Sequence, residues 1–488
     1  VLLLAAAVAL LRHARYDVAG DPVAWDARYY LYFSWRVAEG DVPYRDFFDN
    51  KTPLSYLLGG VAFRVADAAG LDGVVAARVL SLGAAAAAAL LAFALQRRLA
   101  GGRQGPAALA LLALLGLTLL AWLPAIGTLP KLLMAACASA TALLVGRRRF
   151  VAAGVAGGLA FLDWQIGALA VLGALAGAGL SRRPWRAAGR VAAGTALALL
   201  PVAGWLAARG ALPDAWRQTV ATMLVRGEGP WWTRRSMPER LARIADDVSV
   251  ACPGREAWIV PLAVLGLGLF LARLWRRRRH PLAPTLACLA VYHAGVAAFS
   301  LRDYQSYGDL FILLHSLAFF AGDLLATLAR LAAAGARRRG AGRGRLAAAA
   351  ACFVLAVPLL PSTLRTELDL RPPTVARGVT LAEQRALARE AAGRVGDARV
   401  AAVGPAEALL FAGRASALPF VYWNSATYHH YRRDAAEGYV QSLTRLARRA
   451  GVEVLIGDAT LLREAGDEVV ASPRGGYALV LRRVRSAR

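Results

Sequence analysis

Apolar runs separated by short polar turns fill most of residues 1–360, at 74–95, 106–123, 132–145, 191–208, 258–274, 282–299, 310–331 and 346–360. A helix bonds its own backbone polar groups, and about 17–25 apolar residues carry it across a bilayer, so each run predicts a membrane span. The opening run, 1–11, is shorter; it reads as the remainder of a first span whose start is missing, since no small-residue cleavage site follows it. Residues 150–180 exceed one crossing and hold Asp163, Trp164 and Gln165 at their middle. That predicts a hairpin of two short helices with the polar triplet at its tip, and a total of about eleven spans.

Basic clusters test the count, because cytoplasmic loops are rich in Arg and Lys. Arg97, Arg98 and Arg103, then residues 147–149, 182–190, 276–279 and 337–345, each follow an even-numbered span. With these inside, the outer face receives residues 16–72, the loop near 122–131, the hairpin tip, 210–256, 302–309 and everything after Pro361.

The tail changes character. From residue 371 no spanning run occurs, and short β-type runs at 399–403, 418–422, 452–457 and 477–482 mix with helical patterns at 381–394 and 435–450. The expected fold class is therefore mostly α, with a polytopic membrane bundle over 1–360. A small extracytoplasmic α/β domain is expected over 361–488, in a structural or acceptor-guiding role.

Composition narrows the function. Hydrophobic residues make up 58% and charged residues 18% of the chain, which excludes a soluble enzyme. The net charge of +26 would suggest nucleic acid in a soluble protein, but here it sits in the loop clusters, so no nucleic-acid partner is expected. Cys137, Cys252, Cys288 and Cys352 lie far apart and the histidines do not cluster, so neither a disulfide framework nor metal-ligand spacing is present. Nearly all the positive charge is arginine; Lys51 and Lys131 are the only lysines.

Acids concentrate in the first outer loop, which carries Asp17, Asp21, Asp26, Glu39, Asp41, Asp46, Asp49, Asp67 and Asp72. After Asp26, the residues Tyr29, Tyr30, Tyr32, Phe33 and Trp35 recur helically and predict a helix at headgroup level. A second such helix is expected over 54–69, with a polar turn from Tyr44 to Pro53 between the two.

The runs Asp26-Ala27-Arg28-Tyr29-Tyr30-Leu31-Tyr32, Glu39-Gly40-Asp41-Val42-Pro43-Tyr44-Arg45-Asp46 and Asp49-Asn50-Lys51-Thr52-Pro53-Leu54 occur in that order. Together they resemble the first extracytoplasmic loop of polytopic GT-C glycosyltransferases, of the protein O-mannosyltransferase and lipid A aminoarabinose transferase type. The segment Ser300-Leu301-Arg302-Asp303-Tyr304-Gln305-Ser306-Tyr307 resembles a family stretch in which Arg precedes Tyr at the membrane edge. Ala27 stands where that family usually has Glu.

The resemblance implies inverting transfer of a sugar from a polyprenyl-phosphate donor to an acceptor hydroxyl on a glycan, lipid or protein. It implies a multi-pass cell-membrane enzyme with membrane lipid as its surroundings. One carboxylate then serves as general base, and fixed cations stabilise the leaving phosphate. Asp26 is the expected base and Asp49 the second choice. Lys51 and Arg302 are the expected phosphate contacts, and Tyr30, Tyr307 and Asp163 further substrate-binding residues. No metal ligand is assigned; a divalent cation is left open. Each residue has a plainer role as well: Asp26 as a helix cap, Asp46 and Asp49 as a solvated turn, Lys51 as a snorkelling cation, the aromatic run as an interface anchor. The alternative class, a transporter or flippase of a lipid-linked or anionic substrate, would place ionisable groups inside repeated halves. No half-repeat is visible, and the acids gather in one loop. A scaffold or sensor would leave that loop without a purpose.

Overall fold

Helices dominate because the apolar runs satisfy their backbones in no other way. The chain was described from a computed structural model, which covers residues 17–23, 26–104, 107, 129–222, 236–251, 257–276, 280–303, 307–337, 379–422, 427, 430–431, 439–457, 468–471 and 477–484. The first loop forms two helices, α1 (Ala27–Ala38) and α2 (Leu54–Ala68). Then follow α3 (Gly73–Leu99), α4 (Leu129–Gly146), α5 (Phe150–Asp163), α6 (Ala168–Gly179), α7 (Pro184–Ala208) and the short α8 (Leu212–Trp216). The bundle continues with α9 (Met237–Ala251), α10 (Ile259–Arg276), α11 (Ala283–Asp303) and α12 (Tyr307–Arg337).

Five of the described helices are long and apolar enough to cross a membrane, within Gly73–Leu99, Pro184–Ala208, Ile259–Arg276, Ala283–Arg302 and Ile312–Ala332. This is a multi-pass membrane protein. Three shorter apolar helices, Pro130–Gly146, Phe150–Asp163 and Gln165–Gly179, fall on other expected spans. The expected spans at 1–11, 106–123 and 346–360 lie outside the described residues.

Small residues set a close crossing between α5 and α7. A Cβ at Gly154 of α5 would stand 2.1 Å from the Val191 carbonyl oxygen of α7, and one at Gly194 of α7 would stand 2.0 Å from the Val151 oxygen. Glycine at these positions lets two backbones meet, the usual way lipid-embedded helices gain van der Waals contact. Elsewhere in the bundle a buried ion pair joins α10 to α12, Arg273 to Asp323 at 2.8 Å.

The tail forms α13 (Leu381–Val395), β1 (Val400–Val403), α14 (Ala406–Ala412), α15 (Tyr439–Arg449), β2 (Val454–Gly457), β3 (Glu468–Ala471) and β4 (Ala478–Arg483). The strands lie in the order β1-β2-β4-β3. β1 and β2 are parallel, with Val400 opposite Val454, whereas β4 is antiparallel to both β2 and β3. Every residue of β1 and β2 is buried, as in a sheet covered on both faces.

This domain packs directly on the first loop. Phe48 is fully buried in the domain's own core with Phe420, Leu443 and Val452. Glu407 of α14, also fully buried, meets Arg28 Nε at 3.2 Å and accepts from Tyr477 Oη at 2.9 Å. Tyr32 Oη accepts from the Ser416 N–H at 2.8 Å. The aromatic run therefore faces protein: Tyr30, Tyr32 and Phe33 are all buried, where the sequence suggested a lipid-facing anchor.

Candidate functional site at the first-loop turn

The turn between α1 and α2 is held in an unusual conformation. Tyr44 has φ 73°, a left-handed value rare for an aromatic residue. Its hydroxyl donates to the Lys51 carbonyl at 2.7 Å, and its own carbonyl accepts from Gln218 Nε2 at 2.8 Å. Gln218 lies in a π-type turn, Arg217–Ala221, and its Oε1 accepts the Asp49 N–H at 3.1 Å. Turns of this kind gather where side chains must be aimed.

Asp49 is buried. Its Oδ1 accepts from Tyr422 Oη at 2.6 Å and from the Lys51 N–H at 3.2 Å. Burial pushes its carboxyl up to about 6, while the Tyr422 hydrogen bond and the Lys51 charge pull the other way. Burial and the facing Asp49 charge hold the Tyr422 and Tyr44 hydroxyls well above their ordinary range, so both remain protonated donors.

Two cations meet beside this turn. Lys51 Nζ lies 5.1 Å and Lys131 Nζ 4.9 Å from the centroid of the Trp164 ring. Both lysines of the chain thus share one indole face system. Trp164 reaches them because α5 ends at Asp163 and the next residue is extended, with φ −156° and ψ 141°. Asp163, fully buried, fixes that break: Oδ1 accepts from Ser55 Oγ at 2.5 Å and Oδ2 from the Met134 N–H at 2.9 Å. Gln165 Nε2 donates to the Asn50 carbonyl, closing the cluster against the loop turn. Two ammonium groups over the same ring favour an anion there.

The model of Glycosyltransferase family 87 matches residues 61–300, just under half of the chain. The fold aligns with ArnT from Cupriavidus metallidurans in the apo state at a TM-score of 0.58 and 17% identity, covering 98% of this chain and 97% of that one. The same protein bound to undecaprenyl phosphate aligns at a TM-score of 0.54 and 16% identity, over 98% and 97% of the two chains. Archaeal oligosaccharyltransferase AglB from Archaeoglobus fulgidus, in complex with an inhibitory peptide and a dolichol-phosphate, aligns at 0.53 and 13% identity, over 94% of this chain and 69% of that one. The fold is that of the GT-C superfamily glycosyltransferases. No protein of curated function matches the sequence.

Within this GT-C fold the expected site residues divide into two groups. Lys51, Asp49 and Asp163 share the cluster around Trp164 and the loop turn. Tyr30 lies beside it, stacked on Tyr56 with centroids 5.7 Å apart. Asp26 occupies the capping position of α1 yet makes no side-chain capping bond, which leaves its half-exposed carboxylate available. Asp163 is not at a watery tip; it is sealed inside the protein. Arg302 stands exposed in the last turn of α11, one turn beyond Phe299, whose ring meets Trp164 edge-on at 5.9 Å. Its described contact is through its carbonyl, which accepts from Arg240 at 2.8 Å. Tyr307 opens α12, and its side chain lies outside the described residues.

Sequence reasoning missed Lys131, Trp164, Gln218 and Tyr422. The scarcity of lysine, used to single out Lys51, applied equally to Lys131. Nothing local pointed to Tyr422, which lies 373 residues from its partner.

Proposed function

We propose that this chain transfers a sugar from a polyprenyl-phosphate donor to an acceptor hydroxyl at the outer membrane face, with inversion at the anomeric carbon. The observation that carries this reading is the convergence of both lysines on Trp164, directly beside the first-loop turn. The undecaprenyl phosphate bound by ArnT and the dolichol-phosphate bound by AglB support a lipid phosphate as the anion that this cluster receives.

In this mechanism Asp26 takes the proton of the acceptor hydroxyl as its oxygen attacks the anomeric carbon. The bond from that carbon to the phosphate oxygen breaks, and polyprenyl phosphate leaves with the electron pair. A base must be reachable by the incoming hydroxyl, and Asp26 is half-exposed whereas Asp49 is buried under Tyr422. Lys51, with Lys131 behind it, stabilises the charge that develops on the phosphate. Arg302, at the outer end of α11, meets the same phosphate from the far side of Trp164. Tyr30, and Tyr307 at the head of α12, border the sugar, and Asp163 holds Trp164 in place. Asp49 fixes the backbone of Lys51. Among the described residues no group of three or more His, Cys, Asp or Glu is set to hold a metal ion.

The two loop helices lie at the outer lipid boundary in this reading. The tail domain, docked on them, lies on the same side. The test is transfer of label from radiolabelled polyprenyl-phosphate sugars by purified protein. Asp26→Asn is expected to cut transfer by about 10²–10⁴-fold with unchanged thermal stability. Undiminished transfer by that variant would remove Asp26 as the base.

A further inference from the structure

The tail domain reaches the side chain of Asp49, in the phosphate-binding turn, through the Tyr422 hydroxyl. Tyr422 Oη donates to Asp49 Oδ1 at 2.6 Å, and the same oxygen accepts the Lys51 N–H at 3.2 Å. One carboxylate oxygen therefore links a residue of the tail to the backbone of Lys51, whose ammonium sits on Trp164. Two of these partners are buried. Tyr422 is 7% exposed and Asp49 3%. The Tyr422 ring packs on Tyr29 at 4.9 Å and edge-on to Phe33 at 6.2 Å.

Docking of the domain rests on other contacts as well. Phe48, one residue before Asp49, is buried in the tail core, and its N–H donates to the Pro419 carbonyl. Arg28 and Tyr477 on Glu407, and Ser416 on Tyr32, hold the two parts together elsewhere. Among these contacts the Tyr422 bond is the one made to the carboxylate that accepts the Lys51 N–H, which gives it a role at the site.

We infer that Tyr422 is a positioning residue: the tail domain sets the Asp49-Asn50-Lys51 turn through its hydroxyl and so tunes the hold on the donor phosphate. This rests on the reading of Lys51 as a phosphate contact. The tail is then a working part of the binding site, beyond a structural cover.

The experiment measures binding of undecaprenyl phosphate to the full chain in nanodiscs by native mass spectrometry, with melting temperature recorded alongside. Tyr422→Phe keeps the ring packing and removes only the hydroxyl. It is expected to weaken binding about tenfold and to lower the melting temperature as well, since the buried Asp49 carboxylate loses a donor; the double variant separates the effect at the site from that on stability. Lys51→Met is expected to weaken binding more, and Tyr422→Phe added to Lys51→Met to produce no further loss, because the hydroxyl acts through Lys51. If Lys51→Met binds as wild type, the phosphate reading falls. If Lys51→Met loses binding while Tyr422→Phe keeps it, or if the two losses simply multiply, the positioning role falls and Tyr422 is a docking residue only.

Discussion

Two ends of the α5–α6 hairpin solve opposite problems. At the tip Asp163, Trp164 and Gln165 interrupt an apolar run; Asp163 and Trp164 are buried, Gln165 half-buried, and each has a specific partner: Ser55 and Met134, the two lysines, and Asn50. Toward the middle of α5, Gly154 and its neighbours carry almost no side chain and press against the α7 backbone. The first end concentrates polar groups that lipid would penalise by several kcal/mol each if unpaired. The second has the Thr195 hydroxyl, which donates to the Gly154 carbonyl at 3.3 Å, and otherwise depends on shape. Stability should therefore be vulnerable at the crossing, and chemistry at the break.

The largest effect is expected at the crossing. Gly194→Leu would drive a side chain into the Val151 carbonyl, 2.0 Å from the first added carbon. Backbone cannot step aside as a side chain can, so a loss of about 3 kcal/mol or more is expected. The check is the melting temperature and folded yield in detergent. The fraction that does fold should keep the wild-type donor KM, since the crossing touches no cluster residue. A variant that folds normally would show that the helices can slide apart, and would erase the contrast.

Next comes Lys131→Met, which should behave in the reverse way. Burying a charge is costly, and methionine fills similar space without one. The melting temperature is expected to hold or rise, while the donor KM rises about tenfold through loss of one cation from the pair on Trp164. A fall in stability without change in KM would make Lys131 a structural residue and move the break into the same category as the crossing.

How much of this could be read from the chain follows the same division. The hairpin break was legible because a polar triplet in the middle of an apolar run has few explanations, and α1 and α2 followed from helical spacing of their apolar residues. Which side those residues face was not legible: the Tyr29–Trp35 periodicity is the same whether the stripe meets lipid or another domain, and here it meets the tail. In the tail, β3 went unseen because Glu468–Ala471 is four residues with one buried position. The run 418–422, expected as a strand, borders β1 through Ala417 N–H to Val400 O at 2.7 Å and Gly404 N–H to Val421 O at 2.9 Å. Pro419 between these points has no N–H to give, and the ladder does not form. At the site, Asp49 and Lys51 were visible as polar residues in a greasy chain, whereas Gln218 and Tyr422 become partners only when distant segments meet.

The smallest expected effect separates the two regions by pH. Asp49 faces Tyr422, Lys51 and Tyr44, with Tyr30 beside Tyr422, and burial raises its carboxyl from 3.8 to about 6. A raised carboxyl binds its proton more tightly folded than unfolded. Its stabilising contribution is therefore complete below the unfolded value and disappears as pH climbs through the folded one. Between pH 8 and pH 5 wild type should gain about 1.4 kcal/mol relative to Asp49→Asn, which cannot titrate. The comparison is of melting temperatures across that window for wild type, Asp49→Asn and the smallest substitution at the crossing, Gly194→Ala. The crossing variant should track wild type at a constant offset, because nothing at Gly194 changes charge. Parallel curves for wild type and Asp49→Asn would mean that water reaches the carboxylate and that the loop turn is open rather than sealed under Tyr422.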